Sequence, residues 1–469
     1  MPALENVHPA SWGRRDAAMI SAAGDRATLP WQTKSRWGMA DILGRGQGSP
    51  TAVLPEPRVL LVSGWDTEDP AAWSGVMVPL RTALSATLPT GTVRVTGPDH
   101  PLDKALARLS GVRGRGYLPE HSLATARRKG RLLRRLVVRE RPDAVVAVAC
   151  STAVATAGLD VPVVQVTDAT VRALTDYYPQ FTGLSRTALW QADRLERAAQ
   201  AASAAIVTTS EWAARSFIHD YGVDPEVITV APFGPAIRPG AGSAEEMAGF
   251  CDELRRCPGH QGSGSQDSMR VLTVAADWHR KGGEEAVAAV SRLRERGCPA
   301  TLTVVGAAPS GLPSWVHAAG RVPAEVLSHL YLEHDVLLEL AAASAGGVTL
   351  TDAAAHGLPA VARDTGGVAD IVVHGVTGFL VRGIQDTDAA LEALRNPATR
   401  SEVARGAVER AHDVLDWDVW ARHVARVLKG VVGRENRAGG GVLPRSTGTS
   451  RATTRDTAET ARDTKDGEA

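Results

Sequence analysis

The sequence predicts an α/β protein with two doubly wound domains facing each other across a cleft, and three observations carry that expectation. Short, continuous apolar runs recur along the chain, as strands buried on both faces of a parallel sheet require. Helix-like stretches separate most of them. A Gly- and Ser-rich polar interval at 239–268 divides the repetition into two halves. A length of 469 residues suffices for two or three domains with sizeable cores. Apolar residues make up an ordinary 44% but aromatics only 4%, so those cores rest on Ala, Val and Leu.

Residues 1–56 mix Trp, Gly, Pro and charge without sustained periodicity, and a loosely ordered extension is expected there. RVLLVSG (58–64) then reads as the first buried strand, followed by the loop WDTEDPAAWSG and the helical stretch VMVPLRTALSATL. Strands over Ala144–Ala149, Val161–Val166, Ala204–Thr208 and Val227–Val230 complete an N-terminal Rossmann-like domain, 57–238. The interval 239–268 suits a linker with a short helix. Strand-like runs resume at 271–276, 301–306, 336–340 and 358–362, alternating with helices such as Glu284–Arg296 in a second Rossmann-like domain, 269–412. A helix follows at 413–432. The tail 433–469 has almost no large apolar residues, so it cannot offset the entropy of ordering and is expected to be disordered.

Composition narrows the function. A net charge of zero gives no global argument for a nucleic-acid or acidic partner, and no nucleic acid is expected. Cys150, Cys251, Cys257 and Cys298 match no zinc or redox spacing, which suits a reduced, cytosolic setting. No apolar run reaches the roughly 18–20 residues of a membrane span. The N-terminus lacks a signal peptide's apolar core, so a cytoplasmic location is expected.

Ligands of doubly wound folds bind at the carboxyl ends of the strands. In the second half, ADWHRKGG (276–283) places Lys281 beside two glycines at a strand-to-helix turn, which suits a diphosphate; a solvated basic turn is the alternative. Residues 335–381 are richer still. An apolar strand (Asp335–Leu340) meets Gly346-Gly347, a helix-like stretch (Thr351–His356), the turn Gly357-Leu358-Pro359, a strand (Ala360–Ala362) and Gly366-Gly367. Such glycine pairs let backbone N–H groups approach a phosphate, and a helix N-terminus behind them favours negative charge.

In the first half, Trp73-Ser74-Gly75 follows the first strand, and Gln165–Asp168 ends another. Asp168 reads either as a polar group facing the ligand or as a turn aspartate capping Ala169–Leu174. Asp386-Thr387-Asp388 spells a metal-type pair, yet it precedes AALEAL and reads better as a helix N-cap. Arg127–Arg141 is basic and partly amphipathic: a solvated face, or a contact to an anionic acceptor or peripheral membrane surface.

From 268 to 382 these loops and spacings resemble the donor-binding half of the retaining GT-B glycosyltransferases of family 4. Residues 194–234 are similar to the family's helix–strand–SEWAA–PFG run into the interdomain hinge, and Leu415–Leu428 resembles its final crossover helix. The resemblance implies a GT-B fold and metal-independent transfer of a hexosyl unit, with retention, from a nucleotide-diphosphate sugar to a hydroxyl acceptor. It implies no cofactor and no enzyme nucleophile. The implied catalytic contacts are Asp168 and Ser344; the implied donor contacts are Gly75, Arg280, Lys281, Gly346, Gly347, Val348, Thr349 and Asp352.

The chain departs from the family in three places. The family's two glutamates, eight positions apart, fall on Ser344 and Asp352, and its arginine ahead of the lysine falls on Ala276, with Arg280 as the available substitute. Replacing a carboxylate by a hydroxyl at Ser344 costs about 1.5–3 kcal/mol, or roughly one to two decades in rate. Two alternatives to transfer therefore stand beside it. One is a degenerate GT-B protein that binds a nucleotide sugar or a partner without turnover. The other is a GT-B-fold epimerase.

Overall fold

Both expected sheets form, each of six parallel strands. The computed structural model describes residues 56–97, 101–112, 115–239 and 268–438. The expected N-terminal extension, most of the linker with its short helix, Cys251, Cys257 and most of the tail lie outside the described residues. Within the range expected for the tail, helix continues to Ala438.

The N-terminal sheet comprises β1 (Val59–Ser63), β2 (Thr90–Arg94), β3 (Ala144–Val148), β4 (Val163–Thr167), β5 (Ala205–Thr208) and β6 (Ile228–Val230), in the order β2-β1-β3-β4-β5-β6. The C-terminal sheet comprises β7 (Met269–Ala275), β8 (Ala300–Gly306), β9 (Val316–Gly320), β10 (Val336–Glu339), β11 (Ala360–Arg363) and β12 (Gly378–Val381), in the order β12-β11-β10-β7-β8-β9. Every central strand lies where an apolar run predicts it. The strands β2, β9 and β12 were not predicted, and all three are sheet edges. An edge strand is covered on fewer sides, and TGTVR and VHAAG carry mostly exposed or half-buried residues, so the apolar signal is missing.

Each sheet is sandwiched between helices. On one face of the N-terminal sheet, Leu61, Val146 and Val207 pack with Leu80 and Leu84 of the helix Met77–Thr87. The same cluster contains Trp420, Val424 and Leu428 of the helix Trp417–Ala438, so this helix, which follows the second sheet, packs on the first. Trp417 stacks on Phe233, with ring centroids 5.3 Å apart, and its Nε1 donates to the Pro235 carbonyl at 2.7 Å. This aromatic joint clamps the chain where it leaves β6 for the second domain.

The topology also fixes where loops converge. Sheet order reverses between β1 and β3 in one domain and between β7 and β10 in the other. At such a switch point the loops leaving the two strands diverge to opposite faces and open a crevice. The loops concerned are 64–76, 149–150, 276–283 and 340–347.

Candidate functional site

Those loops line one cavity of about 1290 Å³, walled by both domains. Pockets for a single drug-sized ligand run to roughly 300–1,000 Å³, so this one has room for two reactants. Gly75, Asp168, Arg280, Lys281, Ser344, Gly346, Gly347, Val348, Thr349 and Asp352 all border it, as does Ala276, which brings no charge.

On the C-domain side, the turn after β7 is built around Gly282. Its φ of 73° is left-handed, and a Cβ there would lie 2.2 Å from the Leu340 carbonyl oxygen. The close approach seats this turn against the chain leaving β10, where the Ala342 N–H donates to the Arg280 carbonyl at 2.8 Å. Arg280 donates through Nη1 to the Ala343 carbonyl at 3.2 Å, lies 3.5 Å from the Asp277 carboxylate and covers the Tyr178 ring at 5.6 Å. Lys281 donates from Nζ to Glu339 Oε1 at 3.1 Å and to Thr349 Oγ1 at 3.3 Å. The solvated-turn alternative for Lys281 is thereby corrected: only 14% of its side chain is exposed, against a buried carboxylate.

Ser344 is buried at the cavity wall, and its Oγ donates to Glu339 Oε1 at 3.4 Å. Its backbone N–H and that of Ala345 donate to the hydroxyls of Tyr177 and Tyr178, both at 2.9 Å. The tyrosines come from the N-terminal domain, so the two loops are bound together across the cavity. Gly346 faces the Asp168 carboxylate, and Gly347, with φ 54°, opens the helix Val348–Ala355, three residues earlier than predicted. The second glycine pair behaves differently from expectation. Gly366 and Gly367 do not border the cavity; they pack against the Ser344 and Ala345 carbonyls, where a Cβ would come within 2.2 and 2.3 Å.

Asp352 is turned toward the hinge. Its Oδ1 accepts from the backbone N–H groups of Ala236 at 2.7 Å and Ile237 at 3.0 Å. Burial pushes its carboxyl up to about 7, partly offset by those two amides, with the Glu339 charge adding to the rise.

On the N-domain side, Trp73 (φ 47°), Ser74 (φ 61°) and Gly75 (φ 88°) are consecutively left-handed. Non-glycine residues in that region cost about 1–3 kcal/mol each, so neighbouring packing must hold them. Trp73 meets Phe233 edge-on at 5.3 Å, tying this loop to the same aromatic joint as Trp417. Asp168 does not cap the following helix: that helix spans Val171–Leu174, and Thr170 caps it by accepting from the Ala173 N–H at 3.1 Å. The Asp168 carboxylate is left facing the cavity, where loss of water raises it to about 6. Deeper in this lobe, buried Glu196 is raised by burial to about 7, and Lys129 lies 3.9 Å from Glu120.

Two other sequence candidates fall elsewhere. Asp386 sits within the helix Ile384–Ala393 rather than at its cap and accepts from the Arg382 N–H, while Asp388 binds Arg292 and Arg296. Arg127–Arg141 belongs to the helix Leu123–Glu140, whose Gly130, Leu133 and Val137 are buried while Arg127, Arg131, Arg135 and Arg139 are exposed. No helix among the described residues is long and apolar enough to cross a membrane.

Two family models match the chain: "Glycosyltransferase Family 4" over residues 91–234 and "Glycosyl transferases group 1" over residues 268–397. The chain belongs to glycosyltransferase family 4. Its relatives include a D-inositol 3-phosphate glycosyltransferase of Pseudarthrobacter chlorophenolicus, 28% identical over 266 residues, which are 53% of this chain and 60% of that protein. A glycogen synthase of Mycobacterium tuberculosis is 28% identical over 173 residues, 34% of this chain and 41% of that one. The match thus spans less than two thirds of either relative. Among solved structures, sucrose-phosphate synthase from Thermosynechococcus elongatus superposes with a TM-score of 0.60 at 16% identity, covering 80% of this chain and 100% of that one. HepE of Anabaena, in complex with UDP-glucose, gives 0.54 at 17% identity, covering 79% and 99%. The fold of this family 4 protein is GT-B.

Four groups at or behind the cavity wall escape motif reading: Tyr178, which borders the cavity, and Glu339, Tyr177 and Trp417, which do not. Glu339 had a signal, because a carboxylate inside the apolar run VLLEL must find a buried partner. The adjacent tyrosines had a weaker one, being two of only five in the chain.

Proposed function

We propose that the chain is a retaining glycosyltransferase that moves a hexosyl unit from a nucleotide-diphosphate sugar to a hydroxyl acceptor without a metal. The observation that carries this is the arrangement of charge in the cavity. Arg280 and Lys281 sit at the turn after β7 on the C-domain side, and Asp168, which has no capping role, borders the same cavity beside Gly346. The two cations can balance a diphosphate, and the amides opening the helix Val348–Ala355 add donors at the same wall. Asp168, ionised above about pH 6, is assigned a polar contact to the reacting groups. No side chain is assigned as nucleophile.

The family membership and the UDP-glucose complex of the HepE neighbour support a nucleotide-sugar donor. The inositol-phosphate relatives support a polyol hydroxyl as acceptor, with Lys129 and Arg94 on the N-domain wall as the groups to meet an acceptor's negative charge. The exposed arginines of Leu123–Glu140 are available to the same anionic acceptor or to a membrane surface.

Purified protein assayed for donor hydrolysis and transfer across UDP-, GDP- and ADP-sugars tests the reading. Turnover with one base and retained anomeric configuration is the expected outcome. Binding without turnover would favour the degenerate, binding-only alternative, for which Ser344 and Ala276 argue. Neither binding nor turnover with any donor overturns the proposal.

A further inference from the structure

Glu339 ends β10 directly beneath the cavity wall, and no motif points to it. It is 4% exposed and does not border the cavity itself. One of its oxygens, Oε1, accepts from both the Lys281 ammonium at 3.1 Å and the Ser344 hydroxyl at 3.4 Å. Its other oxygen is buried without a partner among the described residues. A buried carboxylate is costly unless it is paired and hydrogen-bonded, and here both partners, Lys281 and Ser344, lie at the cavity wall.

The consequence for Ser344 is chemical. A serine hydroxyl has one proton and two lone pairs. With the proton directed down to Glu339, only the lone pairs face the cavity. Ser344 then behaves toward a ligand as a carboxylate would, accepting but not donating. We propose that Glu339 is a positioning residue for the donor sugar: it fixes the Ser344 hydroxyl as an acceptor for a sugar hydroxyl, and the same oxygen holds Lys281 beside Thr349. This rests on the donor-site reading above and adds to it a carboxylate acting through a serine.

The test compares each nucleoside diphosphate with its sugar conjugate by calorimetry: UDP with UDP-glucose, GDP with GDP-mannose and ADP with ADP-glucose. The ratio of the two affinities isolates the sugar's share of binding. In Glu339→Leu the ratio is expected to fall about tenfold, the scale of one hydrogen bond. Binding of the diphosphate alone should hold or strengthen, because Lys281 loses its counter-charge. Ser344→Ala should lower the ratio by a similar factor, and the double variant should lower it no further. Glu339→Gln, isosteric and still offering an acceptor oxygen, should recover part of the ratio and keeps the test open where the leucine variant folds poorly. A merely structural Glu339 would weaken diphosphate and conjugate by the same factor, and that result overturns the inference, as does a wild-type ratio of one. If wild-type protein binds no diphosphate, the donor-site reading itself fails and the inference with it. If it binds diphosphate but no variant moves the ratio, the inference alone fails.

Discussion

Asp352 gives the sharpest test of the electrostatics. It is 4% exposed on the helix Val348–Ala355, and its Oδ1 holds two hinge amides, Ala236 and Ile237. Burial raises its carboxyl from 3.8 to about 7. The sign follows from linkage. Below about pH 4 the group is protonated in both folded and unfolded chains, and its contribution is fully present. As pH rises toward 7 the unfolded chain ionises freely while the folded one resists, so stability is lost through that window and is level above it. A difference of about three pH units at ~1.36 kcal/mol each corresponds to roughly 4 kcal/mol. Asp352→Asn keeps the acceptor oxygen for both amides and cannot ionise. Urea unfolding followed by tryptophan fluorescence should show the variant close to wild type near pH 4.5 and a few kcal/mol more stable at pH 8. Asp168 and Glu196, also raised by burial, titrate in both proteins and cancel in the difference. A stability difference that is flat from pH 4.5 to 8 would show that Asp352 stays ionised in the fold and would refute the reasoning.

Other substitutions probe the geometry. Ser344→Glu, which restores the family residue, sets a second carboxylate beside Glu339; at about 4 Å and an effective dielectric near 20 this repulsion is roughly 4 kcal/mol before Lys281 offsets part of it. The single variant should therefore lose melting temperature and donor affinity, and Ser344→Glu with Glu339→Leu should recover both. Additive effects of the two changes would contradict the contact. Gly282→Ala forces a Cβ against the Leu340 carbonyl at a left-handed φ, so a loss of about 3 kcal/mol or more is expected in chemical denaturation. Tyr178→Phe leaves the Ala345 N–H without its partner and should cost about 1–3 kcal/mol in the unliganded protein, with the loss shrinking under saturating nucleotide if the ligand takes that amide.

The fold was legible wherever burial is two-sided. β1 and β3 are nearly unbroken apolar runs, and β4, β7, β8 and β10 are apolar apart from one or two polar residues each. The edge strands β2 and β9 escaped because half-covered strands carry polar or small residues as loops do, and β12, the apolar GFLV, because four residues opening on glycine are too short a run to stand out. The site was legible through backbone chemistry: glycines and a lysine at strand ends mark close approach and charge. What the sequence could not reveal were partners distant along it. Ser344 N–H meets Tyr177 across 167 residues, and Asp352 meets Ala236 across 116. Local patterning left Asp168 open between a ligand-facing group and a helix cap, because a cap can be claimed by any suitable neighbour; Thr170 claims this one.

The three departures at the candidate site are best understood together. The family pattern implies an arginine and a lysine on the diphosphate and two glutamates nearby. Here the positions hold Ala276, Lys281, Ser344 and Asp352, which taken singly look like one lost cation and one lost carboxylate. In space, Arg280 lines the same cavity as Lys281, and Glu339 lies under Ser344 in contact with both it and Lys281. Two cations and two carboxylates are thus still present, at shifted positions. The shifts constrain one another: a glutamate at 344 would face Glu339, and without Glu339 the Lys281 ammonium would lose its only carboxylate contact within 4 Å among the described residues. Ser344 is therefore not a deletion to be repaired by one substitution. It is half of a pair, and its effect on activity is measurable only with Glu339 varied alongside it.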